Sequence, residues 1–499
     1  MLLEGLLLAV TLKNIFIGIA GTLVGIIIGA LPGLGASIAM TLALPLTFTM
    51  TPDSSIILLV ALYCGATYGG SISAILLNTP GTPASGATVF DGYPMAKEGK
   101  GDIALGLSTM SSFIGGEVGA FMLITIAPAV SRFVLKFGPA ESFLVAVFSL
   151  TVVGAMSSKH MLKGLISCCF GLLFSFIGTD VVTGMQRFTF GTTYLMDGVS
   201  SIIAMIGLFA VGEMFVLLSD NVGAVSQVLN AGTIHNVIKG CKMVFKYPIN
   251  IIRSSLIGGV IGAMPALGVT AAAFMSYMAA SSSSKNSENF GKGEPEGIVA
   301  PECANNAVTA TSLIPTLTLG IPGSSTMAII LGALTIQGIV PGPDIFTLNA
   351  NFVYAVLISI FFINFYMLII GVLGDGLISR ITIIPVNILA PIVLVFCVIG
   401  SYSLNMRWPD ILMTLLFGVI GYVVKKFGYS NLGLVMGLIL GPIAEASFHQ
   451  TRMISGGNNA AFYASTMSKV LVACIIFSVV YPLGKAIYKK IKKNECQAN

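Results

Sequence analysis

Four breaks in otherwise apolar segments carry the residues of this chain that are best suited to bind a small ion. They centre on Pro32, Pro80, Pro265 and Pro322. Proline removes a backbone donor and glycine relaxes the backbone, so a helix stops inside the protein at such a break. The next half-helix then begins with free N–H groups at the positive end of its dipole, and these bind carboxylates without a buried lysine. Carbonyl oxygens freed on the other side could hold a sodium ion.

The predicted substrate-binding residues are those of the breaks and the small residues, several with hydroxyl groups, beside them. They are Pro32, Gly33, Gly35, Ser37, Thr79, Pro80, Gly81, Thr82, Pro322, Gly323, Ser324, Ser325 and Thr326. The alternative is that Pro and Gly only kink ordinary membrane-spanning helices, which tolerate them. A single break would favour that alternative, whereas four breaks in two matched pairs favour binding.

A second polar cluster follows a Ser-rich stretch and begins at Pro301-Glu302. Asn305 and Asn306 can offer both carbonyl oxygens and amide donors, although cap and turn formation would also explain them. Aligning the Pro-Gly breaks pairs Thr67 with Thr309, each just ahead of its break. These four Asn and Thr residues are the predicted ion-binding residues.

Two carboxylates, Glu117 and Glu302, lie in or beside apolar segments. An intramembrane carboxylate is expensive and is a functional hypothesis by default. Each could relay a proton or could be structural, paired with a buried donor. The sequence leaves these two interpretations open.

The breaks recur at fixed distances, which indicates an internal duplication. The segment Gly29–Gly35 has its counterpart 233 residues later at Gly262–Gly268. Leu77–Thr82 has its counterpart 242 residues later at Leu319–Ser324. The growing offset is what a polar insertion around 281–296 should produce, and two collinear motif sets predict two sequence-related repeats. A ladder of small residues every fourth position, from Gly21 to Gly33, maps onto the second copy and is typical of close helix packing.

The composition predicts that these repeats are embedded in a membrane. Of the 499 residues, 55% are hydrophobic and 9% are charged, and the mean hydropathy is +0.94. Ordinary soluble domains have roughly a quarter of their residues charged. We therefore predict an all-α polytopic membrane protein with about 11 to 14 membrane segments. Residues 1–219 and 249–499 form the two repeats, inverted and with re-entrant hairpins broken at the Pro-Gly motifs, and 220–248 is a polar connection.

The charges and the absent motifs exclude several classes of function. The net charge of +5 is spread thinly and does not indicate nucleic-acid binding. A lysine-rich tail at 485–493 predicts a cytoplasmic C-terminus. Neither a phosphate-binding loop nor an H-E-x-x-H pair occurs, and Gly374-Asp375 lacks the preceding glycine of an intramembrane protease. The eight cysteines include no C-x-x-C pair. We predict no enzyme activity, no metal site and no cofactor.

Several motifs, in order along nearly the whole chain, resemble the large membrane subunit (TctA-type) of the tripartite tricarboxylate transporter family. They are Gly29–Gly35, Asn78–Pro83, Asp91–Pro94, Pro301-Glu302 with Asn305-Asn306, Gly320–Ser324, Gly441–Glu445, Arg452 and Ser455–Gly457. The chain departs from the pattern at Ala266, where the first repeat has Gly33, and at Asn458, where the family would have Asp.

The resemblance implies a function that the residues alone do not specify. Such a subunit works in the bacterial inner membrane with a small four-helix membrane subunit and a periplasmic substrate-binding protein. It imports a small organic carboxylate, a tricarboxylate or a dicarboxylate, by secondary transport driven by a sodium or proton gradient. The duplicated hairpins suggest an elevator-like movement. The alternatives are an anion channel, although no filter-like T-V-G-Y-G run occurs, and a carboxylate carrier that works alone.

Overall fold

A computed structural model describes residues 2–156, 161–180, 183–219, 233–264, 267–381, 386–478 and 480. Three predicted features lie wholly or partly outside these residues. They are the second-repeat break at Pro265 and Ala266, the part of the polar connection at 220–232, and the lysine-rich tail. The repeat boundaries 1–219 and 249–499 stay a prediction.

The described chain is predominantly helical. Its helices, in chain order, are α1 (Leu2–Ala9), α2 (Leu12–Ala30), α3 (Gly35–Ala43), α4 (Pro52–Leu77), α5 (Gly86–Met95), α6 (Gly101–Val134), α7 (Pro139–Met156), α8 (Met161–Ser175), α9 (Ser201–Met205), α10 (Gly212–Ser219), α11 (Ile234–Val244), α12 (Pro248–Ala263), α13 (Gly268–Ser283), α14 (Glu296–Thr311), α15 (Leu313–Leu319), α16 (Ser325–Ile336), α17 (Ile345–Leu348), α18 (Ala350–Ile381), α19 (Val386–Asn405), α20 (Trp408–Lys426) and α21 (Asn431–Ile454). Short 3-10 or π-helical turns join several of them. Two short strands, β1 (Gly178–Thr179) and β2 (Gln186–Arg187), form an antiparallel pair.

Seven of the described helical segments are long and apolar enough to cross a membrane. They are Leu12–Ala30, Pro52–Leu77, Pro83–Val134, Ser201–Ser219, Ala350–Gly374, Trp408–Lys426 and Asn431–Ile454. Shorter apolar helices, among them Pro248–Ala263 and Ser325–Ile336, accompany them. Helices of this length and composition can cross a bilayer, so the predicted all-α polytopic membrane fold is confirmed, while the number of 11 to 14 segments stays a prediction.

The chain divides into two compact units. The first comprises Met1–Val134 and Ile206–Val419, and all the predicted site residues belong to it. Its interior is built around α4 and α14, whose residues are buried along nearly their whole length. Helix α2 packs on α4, whereas α6, α12 and α13 pack on α14.

The second unit comprises Leu135–Met205 and Ile420–Asn499. Helices α7 and α8 pack on α21, and glycines allow the closest approach, since a Cβ at Gly171 would overlap the Leu434 carbonyl. Beside this bundle, Arg187 of β2 forms an ion pair with Glu445 at 2.7 Å.

The helices of the first unit stop and restart at equivalent positions of the two predicted repeats. Helix α2 ends at Ala30 and α12 ends at Ala263, while α3 begins at Gly35 and α13 begins at Gly268. Gly35 and Gly268 share a left-handed conformation, with φ of +64° and +68°. A left-handed residue ends a regular α-helix and proline removes a helical hydrogen bond. The two together therefore favour a helix end at each break, although isolated prolines such as Pro301 stay inside helices.

The packing between these helices follows the same correspondence. A Cβ added at Gly25 of α2 would overlap the Leu62 carbonyl of α4, and one added at Gly258 of α12 would overlap the Ala304 carbonyl of α14. Leu62 and Ala304 are 242 residues apart, the offset of the Pro-Gly motifs. Small residues at these points let the two backbones approach closely, as in membrane helix pairs generally.

Candidate functional site

Two of the predicted breaks meet at the beginnings of α3 and α16. The hydroxyl oxygens of Ser37 and Ser325, 288 residues apart in sequence, lie 2.6 Å from each other. Ser324 is the N-cap of α16 and accepts a hydrogen bond from the Met327 N–H at 3.3 Å. The three serines are half-buried and are therefore open to a ligand. Two helix N-termini, each with free N–H groups and a hydroxyl-bearing first turn, thus face one small region.

The third break, at 78–82, joins the same region from another side. Asn78 ends α4 in a left-handed conformation, with φ of +57°, and the Gly81 N–H donates to the Gly70 carbonyl at 3.1 Å. A Cβ added at Gly81 would overlap the carbonyl oxygen of Gly29, near the end of α2. Gly81 therefore holds the third break against the helix end that leads into Pro32.

The substrate-binding residues predicted from sequence differ in how available they are. The Thr79 hydroxyl donates to the Leu77 carbonyl at 3.3 Å, and Thr82 is buried and forms a capping box with Ser85. Thr326 is also buried, and its hydroxyl lies 2.7 Å from that of Ser324. The serines and Thr79 are thus half-buried, whereas Thr82 and Thr326 are buried and take part in shaping the turns.

The predicted ion-binding residues lie inside the unit, on α4 and α14. The Thr309 hydroxyl donates to the Asn306 carbonyl at 2.7 Å and lies 3.6 Å from the Cys64 sulfur. Asn305 is 1% exposed, and neither atom of its amide has a hydrogen-bond partner among the described residues. The side-chain oxygen of Asn306 also lacks a described partner. Buried amide oxygens without donors are costly unless a ligand or water meets them.

Glu302 is the most deeply buried carboxylate near these amides, with no exposed surface. One carboxylate oxygen accepts hydrogen bonds from Ser71 of α4, at 2.6 Å, and from Thr88 of α5. The other accepts from Ser112 of α6 at 2.9 Å. No described lysine or arginine forms an ion pair with it. Glu302 thereby ties α14 to three other helices through hydroxyl groups alone.

Glu117, the other carboxylate singled out by the sequence, occupies a different part of α6. It is half-buried and lies beside Asn364 of α18. None of the hydroxyl partners of Glu302 is hydrogen-bonded to it. The structure does not bring the two carboxylates into one cluster.

Asp91 has a role that the sequence analysis did not assign. One of its carboxylate oxygens accepts three backbone N–H donors, from Gly291, Gly293 and Glu294, at 2.8 to 2.9 Å. The other accepts the Tyr277 hydroxyl at 2.8 Å. Asp91 therefore fastens the polar insertion between α13 and α14 to α5. An Asp in a family motif was visible in the sequence, but its partners lie about 200 residues away and no local pattern indicates them.

Replacing Asp91 by alanine should release this insertion. Hydrogen bonds to a charged group contribute about 1.5 to 3 kcal/mol each, so we expect trypsin to cut the loop about tenfold faster or more. The exposed Lys285 and Lys292 within the loop supply the cleavage sites. Asp91→Asn is the matched control, since its amide oxygen can still accept the three N–H donors. Equal cleavage of Asp91→Ala and the unsubstituted protein would refute the role.

The same loop contains a second buried carboxyl group, on Glu294. Burial raises the pKa of Glu294, and the charge of the neighbouring Glu296 adds to the effect. Asp91 also contributes, less strongly. The insertion is thus a compact acidic structure held by Asp91.

With this geometry established, comparison with known proteins identifies the family. The model described as "Tripartite tricarboxylate transporter TctA family" matches residues 15–436. The chain belongs to the tripartite tricarboxylate transporter TctA family. The resemblance seen in the sequence is therefore confirmed. The family is one of transporters, not of enzymes. Membership of a tripartite family also implies partner proteins in general.

Two relatives of this TctA-family chain come from Agrobacterium vitis. One, described as an uncharacterized 52.8 kDa protein in the TAR-I ttuC' 3'region, is 36% identical over 488 residues, which cover 97% of this chain and 96% of that protein. Another, described as an uncharacterized protein in the TAR-II ttuC' 3'region, is 35% identical over 233 residues, or 47% of this chain and 96% of that protein. No solved structure matches the chain significantly.

Proposed function

We propose that this TctA-family subunit imports a small tricarboxylate or dicarboxylate by secondary transport in a bacterial inner membrane. A periplasmic protein delivers the substrate, a small four-helix membrane subunit completes the complex, and the C-terminus is cytoplasmic. The observation that carries the proposal is the 2.6 Å contact between Ser37 and Ser325, which joins two helix N-termini. An anion placed there meets N–H donors from both helices.

The donors of this arrangement suit a transported ligand, which must bind with moderate affinity and then be released. Helix N-termini and hydroxyl groups stabilise a carboxylate through hydrogen bonds and partial positive charge. A lysine or arginine would add a full charge and a strong, charge-assisted hydrogen bond. The described breaks carry no lysine or arginine, and their donors are hydroxyl groups, backbone N–H groups and the amide of Asn78. They would therefore hold a multiply charged carboxylate without trapping it.

The correspondence of helix ends and helix contacts supports an internal duplication. The pairs Gly25–Leu62 and Gly258–Ala304 are related by the sequence offsets of the repeats. Each predicted copy also packs against the other. Helix α3 of the first copy packs on α16 of the second, and α13 of the second packs on the 83–85 turn of the first. We propose that the repeats are inverted and that their re-entrant hairpins move together as an elevator.

The coupling ion, sodium or a proton, is proposed to act at the buried polar cluster of α14. Asn305 and Asn306 provide amide oxygens without described donors, and Glu302 provides the negative charge that a cation within the membrane requires. Thr67 and Thr309 lie on α4 and α14 in the same interior. Filling this cluster with a cation would couple the gradient to the movement of the repeats.

Uptake into proteoliposomes tests the proposed function. The chain and its small membrane partner would be reconstituted, and labelled citrate and C4-dicarboxylates supplied with and without the binding protein, under a sodium and then a proton gradient. We expect uptake that requires the binding protein and one of the two gradients. Downhill flux that needs neither would instead identify a channel, and gradient-driven uptake without the binding protein would identify a carrier that works alone.

Removing the two serine hydroxyls tests the position of the substrate. A hydrogen bond to a charged group contributes about 1.5 to 3 kcal/mol, so the Ser37→Ala/Ser325→Ala double variant should raise the KM for uptake by roughly tenfold or more. Ser282→Ala, in the exposed part of the Ser-rich stretch, is the control for a lost serine. An unchanged KM in the double variant would place the substrate elsewhere.

A further inference from the structure

A basic corner of the first unit is left unused by the proposed transport mechanism. It is formed by Lys239 and Lys242 on α11, Lys246 in the following turn and Arg253 on α12. The described segment 233–264 contains no Asp or Glu. None of the four cations forms an ion pair with a described residue. Glu294 and Glu296 lie near Tyr247 beside this corner, but neither forms an ion pair with the four cations, so an external anion can still pair with these cations.

Helix α11 has the character of a helix that lies at a membrane surface. Val237 and Cys241 are buried, and a Cβ at Gly240 would overlap the Ile103 carbonyl of α6. On another side of the helix, Ile234, Ile238 and the C-cap residue Phe245 are exposed near the lysines. An apolar stripe with lysines around it is typical of helices at the level of lipid headgroups.

Arg253 is held in place by neutral groups. One terminal guanidinium nitrogen donates to Asn250 at 2.9 Å and the other donates to Ser283. Asn250 is itself fixed, because its amide donates to the Glu296 carbonyl at 3.2 Å. A guanidinium group has five N–H donors. Asn250 and Ser283 use one on each terminal nitrogen, so a second N–H remains on each, while the Nε atom is buried away from an external ligand. The orientation of the guanidinium group is thus set before any anion arrives, and donors remain for one.

A shallow apolar depression on one face of α12, here called the groove, lies beside this guanidinium group. It is lined by Arg253 with Ile249, Ile252, Leu256 and Ile257. Ile249, Ile252 and Leu256 are 78%, 61% and 49% exposed. The groove therefore offers a cation at one place and hydrocarbon contact along the rest of its length.

We propose that the basic corner binds an anionic phospholipid, with its phosphate on Arg253 and an acyl chain along the groove. A guanidinium group matches phosphate geometry with two parallel hydrogen bonds. Basic clusters at the ends of membrane helices recognise anionic headgroups. A free phosphate would leave the isoleucines uncovered, and a helix of a partner subunit would have to bring its own carboxylate to Arg253. This proposal is independent of the transported substrate.

Native mass spectrometry and thermal unfolding of the purified full-length chain test the lipid site. The probes are phosphatidylglycerol, zwitterionic phosphatidylcholine and inorganic phosphate, each added to delipidated protein. We expect phosphatidylglycerol to be retained and to raise the Tm, and the other two probes to do neither. Arg253→Gln should reduce the retained phosphatidylglycerol by about fivefold or more, in line with the loss of one cation near a lipid surface.

Two further variants make the test decisive. Lys13→Gln removes an exposed cation at the start of α2 and should leave retention unchanged. Leu256→Trp fills the groove without changing charge and should also lower retention. Equal retention by Arg253→Gln and Lys13→Gln would overturn the proposal, as would stabilisation by inorganic phosphate alone. Crosslinking of an Ile252→Cys variant to the small membrane subunit would assign the groove to that partner and also overturn it.

Discussion

Replacing Glu302 by glutamine should leave the protein folded and stop gradient-driven uptake. Glutamine keeps the size of the side chain and one acceptor oxygen for Ser71 and Thr88, and its amide can donate to the Ser112 hydroxyl. The variant loses the negative charge that the proposed cation site requires. We expect uptake under the coupling gradient to fall by about tenfold or more, since each tenfold step corresponds to only ~1.4 kcal/mol. The measurement is uptake in proteoliposomes, with the Tm of the same preparation.

Alanine at the same position separates the electrical role of Glu302 from its structural role. Glu302→Ala leaves three buried hydroxyl groups without their acceptor, at about 1–3 kcal/mol each. We therefore expect Glu302→Ala to lower the Tm strongly and Glu302→Gln to change it little. Normal gradient-driven uptake by a folded Glu302→Gln variant would show that the charge is not needed. Glu302 would then be a structural tie between helices and the coupling site would lie elsewhere.

Replacing Gly81 by alanine should disrupt the candidate substrate site through a single methyl group. The added Cβ would overlap the carbonyl oxygen of Gly29, which is backbone and cannot rotate away as a side chain can. Overpacking of this kind costs about 1–3 kcal/mol and displaces backbone. The displacement falls on the helix end that leads into Pro32. We expect a lower Tm and a loss of uptake larger than the loss of stability alone would cause.

Gly86→Ala is the matched control for Gly81→Ala. It introduces the same methyl group five residues later, where a Cβ would lie 3.4 Å from the edge of the Phe274 ring. Gly86 has an α-helical conformation, with φ of −58°, so alanine is also free of backbone strain there. Uptake by Gly86→Ala should stay near that of the unsubstituted chain. Equal uptake by both variants would show that the third break, at 78–82, is not part of the substrate site.

The sequence by itself determined the helical membrane fold and the places where its helices stop. Both follow from local physics. Apolar segments in lipid must satisfy their own backbone hydrogen bonds and therefore form helices. A proline followed directly by a glycine, as at 32–33 and 322–323, interrupts those bonds, whereas isolated prolines such as Pro301 stay inside helices. For this reason the predicted breaks at Pro32 and Pro322 coincide with real helix ends at Ala30 and Leu319.

The sequence was less informative about the roles of individual polar residues. Thr79 and Thr82 were predicted beside Ser37 as equal members of the substrate site, and that assignment stays a prediction. Whether a hydroxyl faces a ligand or its own backbone depends on the turn that it occupies. Thr79 bonds the end of its own helix, whereas Ser37 reaches across to another helix. Both are small hydroxyl residues beside a break, so residue type and spacing cannot distinguish the two roles.

Only the tertiary structure decided which distant groups meet. Ser37 is hydrogen-bonded to Ser325. Glu302 accepts hydrogen bonds from Ser71 and Ser112, and Asp91 accepts them from the loop at 291–294. This chain has many small hydroxyl residues, so their sequence positions do not single out these partners. The choice is made by close packing of helices far apart in the chain, which depends on where glycines let backbones approach. That geometry is a property of all the helices together, and no local segment contains it.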